Sequence, residues 1–309
     1  MAIFFSRRTY NASKDAFNKH PSTVTRYVSM PGKKPGAGGW KSVMCTQDEW
    51  LQNVRDAGGD KDIMIYVHGF NTDQKDMLDR MEKIEKNLKA QGYEGAVIGF
   101  DWPSDGTIFA YKKDKADAKT VAPCFVSDGI LPLLSISPRP KIHLLAHSMG
   151  ALVVLRAFSD FGDAAGPGTG AWKVAEVTFA SADVDRTWLE QGAWGSLVLK
   201  HRSKRFTNYY SREDLVLDVS EKLQNGGRER VGRDGMPELS ASGHFDVRCD
   251  AQYLRDVPPG KQTQVYSHRW WFDNDGYFKD LHAVIKGEDA SSMSTRRDIA
   301  GTSDQELFT

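Results

Sequence analysis

The 309-residue chain is short of cysteine, of net charge and of long apolar runs, and each shortage excludes something. Its three cysteines, Cys45, Cys124 and Cys249, are too few and too widely spaced for a disulfide framework, so free thiols in a reducing compartment are expected. Forty-one basic residues cancel forty-one acidic ones, which leaves no overall field to draw in nucleic acid or an anionic membrane. The basic run from His201 to Arg205 reads as a solvated loop before a strand. No apolar stretch approaches the roughly 20 residues of a membrane helix. Ala2 to Phe5, ahead of Arg7 and Arg8, is too short for the core of a secretion signal. The expectation is therefore a cytoplasmic protein. With 40% hydrophobic, 27% charged and 11% aromatic residues, it has the composition of a globular, enzyme-sized chain of one large α/β domain or two small ones.

The stretch that organises the rest runs from Lys141 to Phe158. Ile142 to Ala146 suits a strand buried on both faces, and Leu152, Leu155 and Phe158 recur at helical spacing. Ser148 lies between them, with Ala146 and Gly150 two places to either side. A serine flanked this way at a strand-to-helix turn has the form of a G-x-S-x-G nucleophile elbow with alanine for the first glycine. The turn lifts the hydroxyl above the sheet, and the free N–H groups of the following helix point back at it, where an anion would be stabilised. The plainer alternative is a serine that only caps a helix.

Several flanking segments fit an α/β sheet. Ile63 to Val67 reads as a buried strand running into His68-Gly69-Phe70-Asn71, where glycine lets the main chain approach a reacting carbonyl. The amides of Phe70 and Met149 are thus the expected oxyanion donors. His68 has no ligand-spaced companion and reads as a structural histidine. Met77, Met81, Ile84 and Leu88 mark a crossover helix that stops at Gly92, and Ala96 to Phe100 the next strand, closed by Asp101-Trp102-Pro103-Ser104. Trp102 falls at the carboxyl edge, where such sheets bind ligands, and either lines a pocket or caps the core. Tyr111 to Ser135 suggests a helix interrupted at Pro123 and Pro132, and Phe161 to Gly170 a Gly-rich connector. Val174 to Ala180 reads as another strand, followed by a helix over Arg186 to Leu199 whose Trp188 could roof a pocket. Phe206 to Tyr210 is a further strand leading to Asp214, and Phe245 to Tyr253 an edge strand.

A serine hydroxyl needs an imidazole to take its proton and a carboxylate to hold the imidazole, and in this architecture they follow in the order Ser, acid, His. After Ser148 come His201, His244, His268 and His282. His268, in a loop just before the closing helix Tyr277 to Ile285, is favoured over His244. Asp214 is favoured over Asp183 and Asp185 as the acid, with a helix-capping Asp214 as the alternative.

Taken in order, Val67-His68-Gly69-Phe70-Asn71, Phe100-Asp101-Trp102-Pro103-Ser104, Leu145-Ala146-His147-Ser148-Met149-Gly150, Ser211-Arg212-Glu213-Asp214 and Ser267-His268 resemble the α/β-hydrolase superfamily. More narrowly they resemble a bacterial branch catalogued as a domain of unknown function with esterase- or lipase-like members. The resemblance covers roughly residues 60 to 287. It implies a mostly parallel eight-stranded sheet with helices on both faces and Ser148, Asp214 and His268 at the triad positions. The domain reading is a peripheral segment over 1 to 60, a catalytic domain over 61 to 287 and a polar, flexible tail over 288 to 309. The expected activity is cofactor-free, metal-free hydrolysis of a small ester with a short to medium acyl chain. Amidase, peptidase or thioesterase chemistry on the same triad is the rival reading, and a non-catalytic interaction module a further one.

Overall fold

The computed structural model describes residues 1–104, 110–164, 172–237 and 241–309. One twisted sheet runs through the chain. In chain order its strands are β1 (Ala2–Asn11), β2 (Ala16–Met30), β3 (Met44–Cys45), β4 (Ile63–Val67), β5 (Ala96–Asp101), β6 (Ile142–His147), β7 (Val174–Ala180), β8 (Ser203–Tyr210), β9 (His244–Arg248), β10 (Arg296–Asp298) and β11 (Gln305–Leu307). Across the sheet the order is β10-β11-β9-β8-β7-β6-β4-β5-β1-β2-β3.

The eight expected strands underestimate this sheet, which has eleven among the described residues. Every neighbouring pair from β11 through β9, β8, β7, β6, β4 and β5 to β1 is parallel, whereas β2, β3 and β10 join antiparallel at the two ends. The central strands are buried along their whole length because helices cover both faces, which explains their unbroken apolar runs. Helix Gln74–Ala90 buries Met77, Met81, Ile84 and Leu88 against one face, each contributing ~1.5–3 kcal/mol of burial.

Three expectations about the periphery change. Residues 1 to 60 contribute three strands to the sheet, and β1 pairs in parallel with β5, from Ile3 opposite Ile98 to Ser6 opposite Asp101. The tail is tied down, with β11 parallel to β9 and Arg296 donating to the buried Asp280 from Nε at 2.9 Å and Nη2 at 2.7 Å. Polarity alone was no guide, because two of the tail's polar residues, Thr295 and Arg296, are spent on that buried cluster together with Tyr209. The strand expected over Phe245 to Tyr253 stops at Arg248 and gives way to helix Asp250–Asp256; β11 covers it, so it is not an edge.

Elsewhere the elements read from sequence are kept in part. Thr46 caps helix Gln47–Gly58 through a capping box with Glu49. The segment over 111 to 135 consists of Tyr111–Phe125, a π turn Val126–Ile130 and Leu131–Leu134, but the expected interruption at Pro123 does not occur: that proline lies inside the first helix, and Pro132 sits in the opening turn of the last, where a missing N–H is tolerated. The helix expected over Arg186 to Leu199 is two pieces, Arg186–Leu189 and Trp194–Arg202. The Gly-rich connector lies mostly outside the described residues, its first four positions closing helix Gly150–Ala164. Among the described residues no helix is long and apolar enough to cross a membrane.

Candidate active site

Ser148 follows β6 directly and has φ 55°, a left-handed conformation that costs an L-residue ~1–2 kcal/mol. The turn is held from both sides. Its N–H donates to the Ala180 carbonyl at 3.1 Å, and its own carbonyl accepts from Ala151 and from Asp183, both at 3.1 Å. Asn71 (φ 53°) and Ser181 (φ 49°) are in the same strained region, so three strand ends, those of β4, β6 and β7, carry strained non-glycine residues at one edge. Strain of this kind gathers at functional sites.

Two glycines explain how close the loops come. A Cβ on Gly69 would lie 2.7 Å from the Ser148 Cβ, so the His68-Gly69-Phe70 loop sits directly against the serine. A Cβ on Gly150 would lie 2.4 Å from the Val67 carbonyl oxygen and 2.7 Å from that of His68. The second small residue of the elbow is therefore demanded by the end of β4. Gly150→Ala is expected to cost about 3 kcal/mol, since main chain cannot step aside as a side chain can; a lowered midpoint in urea unfolding checks it.

His268 ends the short helix Gln264–Ser267, and its Nδ1 lies 2.7 Å from Asp214 Oδ2. A carboxylate only accepts, so the proton sits on Nδ1 and the Nε2 lone pair is left available. Asp214 is wholly buried and has two roles at once: its other oxygen accepts from the amides of Val216 (3.1 Å) and Leu217 (3.0 Å), capping helix Leu215–Val219. The carboxylate that caps this helix is thus the same one that bonds to His268. Ser267 Oγ accepts from the Leu215 amide at 3.1 Å and ties helix Leu215–Val219 to the loop of His268.

His147 was not singled out from sequence. Its Nε2 donates to the His268 carbonyl at 2.8 Å, and the two rings are 4.6 Å apart. Burial, followed by the charge of His268, holds the His147 pKa well below the ordinary histidine value, so this ring acts as a neutral fastener. It brings the residue beside Ser148 against the backbone of His268. Among the described residues Ser148 Oγ has no hydrogen-bond partner, and Ser148 and His268 are 5% and 6% exposed. Such bonds commonly tighten only with substrate in place.

The rival residues are placed elsewhere or are otherwise engaged. His244 opens β9 opposite Phe206, at the amino end of the parallel run, and burial pushes it down to about 4. Asp183 accepts from Tyr111 Oη and Ser220 Oγ, both at 2.9 Å, and lies 3.6 Å from Arg230. Asp185 caps Arg186–Leu189. Met149 is buried, and Phe70 is half-buried with its ring edge-on to Tyr111 at 5.4 Å. Trp102 is fully buried; it stacks on His68 at 5.1 Å and donates to the His68 carbonyl at 2.7 Å, a brace of the loop and not an open pocket wall. Trp188 packs on Trp194 at 5.1 Å beside a surface depression with Asp185 and Arg228.

A second missed residue comes from β1. Arg8 reaches the end of β5, with Nε 2.7 Å from Asp101 Oδ1, Nη1 2.9 Å from the Ser104 carbonyl and Nη2 3.0 Å from that of Thr72. Thr72 Oγ1 in turn donates to the Phe70 carbonyl at 3.2 Å. Burial works to raise the Asp101 pKa but is outweighed by the Arg8 charge and His68, which bring it to about 2. The one sequence signal was a pair of arginines straight after an apolar run, which could equally have been a strand end in water. Among the described residues no three His, Cys, Asp or Glu side chains are grouped to hold a metal ion.

The parallel sheet, the strained serine turn at its carboxyl edge and the adjacent histidine–carboxylate pair define the class as an α/β hydrolase. Residues 45–238, well over half of the chain, match the family described as "Alpha/beta hydrolase of unknown function (DUF900)", and the chain belongs to that family. An uncharacterized protein of Nostoc sp. is 33% identical over 78 residues, 25% of this chain; the match spans only 20% of that relative's length. Among solved structures, similarity extends to a dienelactone hydrolase from Anabaena variabilis (13% identity, 70% of this chain and 87% of that one, TM-score 0.37). It also extends to the metagenome-derived lipolytic enzymes LipS and LipT (14% identity, 62% and 84%, TM-score 0.34).

Proposed function

We propose that the chain is a serine carboxylic-ester hydrolase in which Ser148 is the nucleophile, His268 the general base and Asp214 the acid that orients it. The observation that carries this reading is the 2.7 Å bond between His268 Nδ1 and Asp214, on a loop fastened by His147 to the residue beside Ser148. His268 Nε2 takes the Ser148 proton as Oγ attacks the ester carbonyl. The amides of Phe70 and Met149 receive the oxyanion, and the alcohol leaves with the proton held by His268. Water, deprotonated by the same nitrogen, then frees the acid from the acyl-serine. This chemistry calls for no metal or organic cofactor. The half-buried Phe70, packed on Tyr111 beside the oxyanion loop, favours short to medium acyl chains.

Incubation with a fluorophosphonate is the direct test. Covalent labelling at Ser148 in the folded protein, with loss of p-nitrophenyl ester turnover in proportion, is the expected result. A protein that turns over esters while Ser148 stays unlabelled would overturn the assignment.

A further inference from the structure

Helix Gln74–Ala90 and the segment over 263 to 273 face each other across an open cleft of about 390 Å³, immediately beside the loop that carries His268. Two arginines line it, Arg80 from the helix and Arg269 from the segment. Among the described residues neither has a carboxylate within ion-pair distance. Of the other charged groups lining the cleft, Asp79 is held by Lys33 and Lys75, and Asp273 by Lys83, which leaves Asp76 as the one acid not so engaged. Arg80 is 7% exposed and spends one nitrogen on Thr72 Oγ1 at 2.9 Å, with its guanidinium 5.8 Å from the Phe272 ring. Beneath Phe272, in edge contact at 5.9 Å, lies Tyr66, whose buried hydroxyl faces the Arg80 guanidinium. Burial, and then the neighbouring Arg80 charge, act against the Arg269 cation, and Asp76 offsets them only in part, since the net shift is still downward. Two like charges held together under a partly dry wall are costly unless an anion joins them.

We infer that this cleft is a binding site for a small oxyanion, carboxylate or phosphate, bridged by Arg80 and Arg269. Planar guanidinium forks match both anions through paired N–H donors. Thr263 in the cleft wall supplies a further hydroxyl donor, while the Tyr266 hydroxyl is engaged by Asp273. The ligand has a mechanical consequence. Arg80 holds Thr72, which donates to the Phe70 carbonyl, and Arg269 directly follows His268, so one anion ties the oxyanion loop to the base loop. That consequence rests on the hydrolase reading; the binding itself does not.

The test is isothermal titration of inorganic phosphate into the full-length protein and its Ser148→Ala variant, at ionic strength fixed with chloride. Direct binding is measured because phosphate also stabilises proteins by general exclusion from their surfaces. Saturable one-site binding of equal affinity in both proteins is expected, weakened about tenfold or more in Arg269→Gln and less in Arg269→Lys, which keeps the charge and loses the fork. Displacement of phosphate by acetate assigns the site to carboxylates as well, and its failure assigns it to phosphate. The inference is overturned if the wild-type protein takes up no phosphate by about 20 mM, or if Arg269→Gln binds as tightly as wild type. A failed esterase assay with intact phosphate binding would count against the proposed function alone.

Discussion

Ser148→Ala is expected to lower kcat/KM for a p-nitrophenyl ester by ~10⁵-fold, because the nucleophile is lost while the oxyanion donors and the bound geometry remain. The change is nearly silent in the fold, since alanine keeps the Cβ that packs against Gly69 and keeps the strained φ of 55°. Ser148→Gly removes the same hydroxyl but adopts that backbone freely, so it is expected to gain ~1 kcal/mol in stability with the same loss of activity. Parallel ester assays and thermal melts of the two variants separate the chemical role of the side chain from the conformational cost of placing it. Activity retained near the wild-type level in both would reject Ser148 as nucleophile.

The second large effect is on stability. Arg8→Met is expected to cost about 3–5 kcal/mol near neutral pH, because Asp101 is wholly buried and would be left without its counter-charge. The pH dependence follows from the sign of the shift. In the wild-type protein the Asp101 pKa is depressed to about 2, so its contribution, on the order of 2 kcal/mol, is present above the unfolded carboxylate value. That contribution fades as the pH falls through the range from near 4 to about 2. Without Arg8 the largest influence opposing burial is gone and only His68 still works against it, so the Asp101 pKa rises above its wild-type value and the variant takes up a proton at a higher pH, which relieves it. The stability gap between wild type and Arg8→Met should therefore narrow from pH 7 to pH 4. A gap that stays constant or widens over that range, read from denaturant melts, would show that Arg8 acts by packing and not by neutralising Asp101. Ester turnover should fall as well, because Arg8 also holds the Thr72 carbonyl in the loop that carries Phe70.

These two effects bear on how far the site could be read from residues. Ser148, Gly69 and Gly150 were legible because they mark local backbone demands: a positive φ and two approaches too close for a Cβ. Such demands are written in consecutive residues. Arg8 was not legible, since its meaning depends on Asp101, 93 positions away and aligned with it only by the parallel register of β1 on β5. The choice between Asp214 and Asp183 shows the same limit. Both follow strand ends, and only the packing reveals that Tyr111, Ser220 and Arg230 surround one while His268 bonds to the other.

By itself the sequence determined the central strands, their helices and the serine turn, because periodicity, glycine and small-residue spacing are properties of neighbours along the chain. Tertiary structure alone decided that the first strand joins the sheet, that the polar tail closes its far end, and that His147 and Arg8 brace the two sides of the site. Those are encounters between distant residues, and what selects them is burial of charge and hydrogen-bonding groups that must find partners once water is excluded.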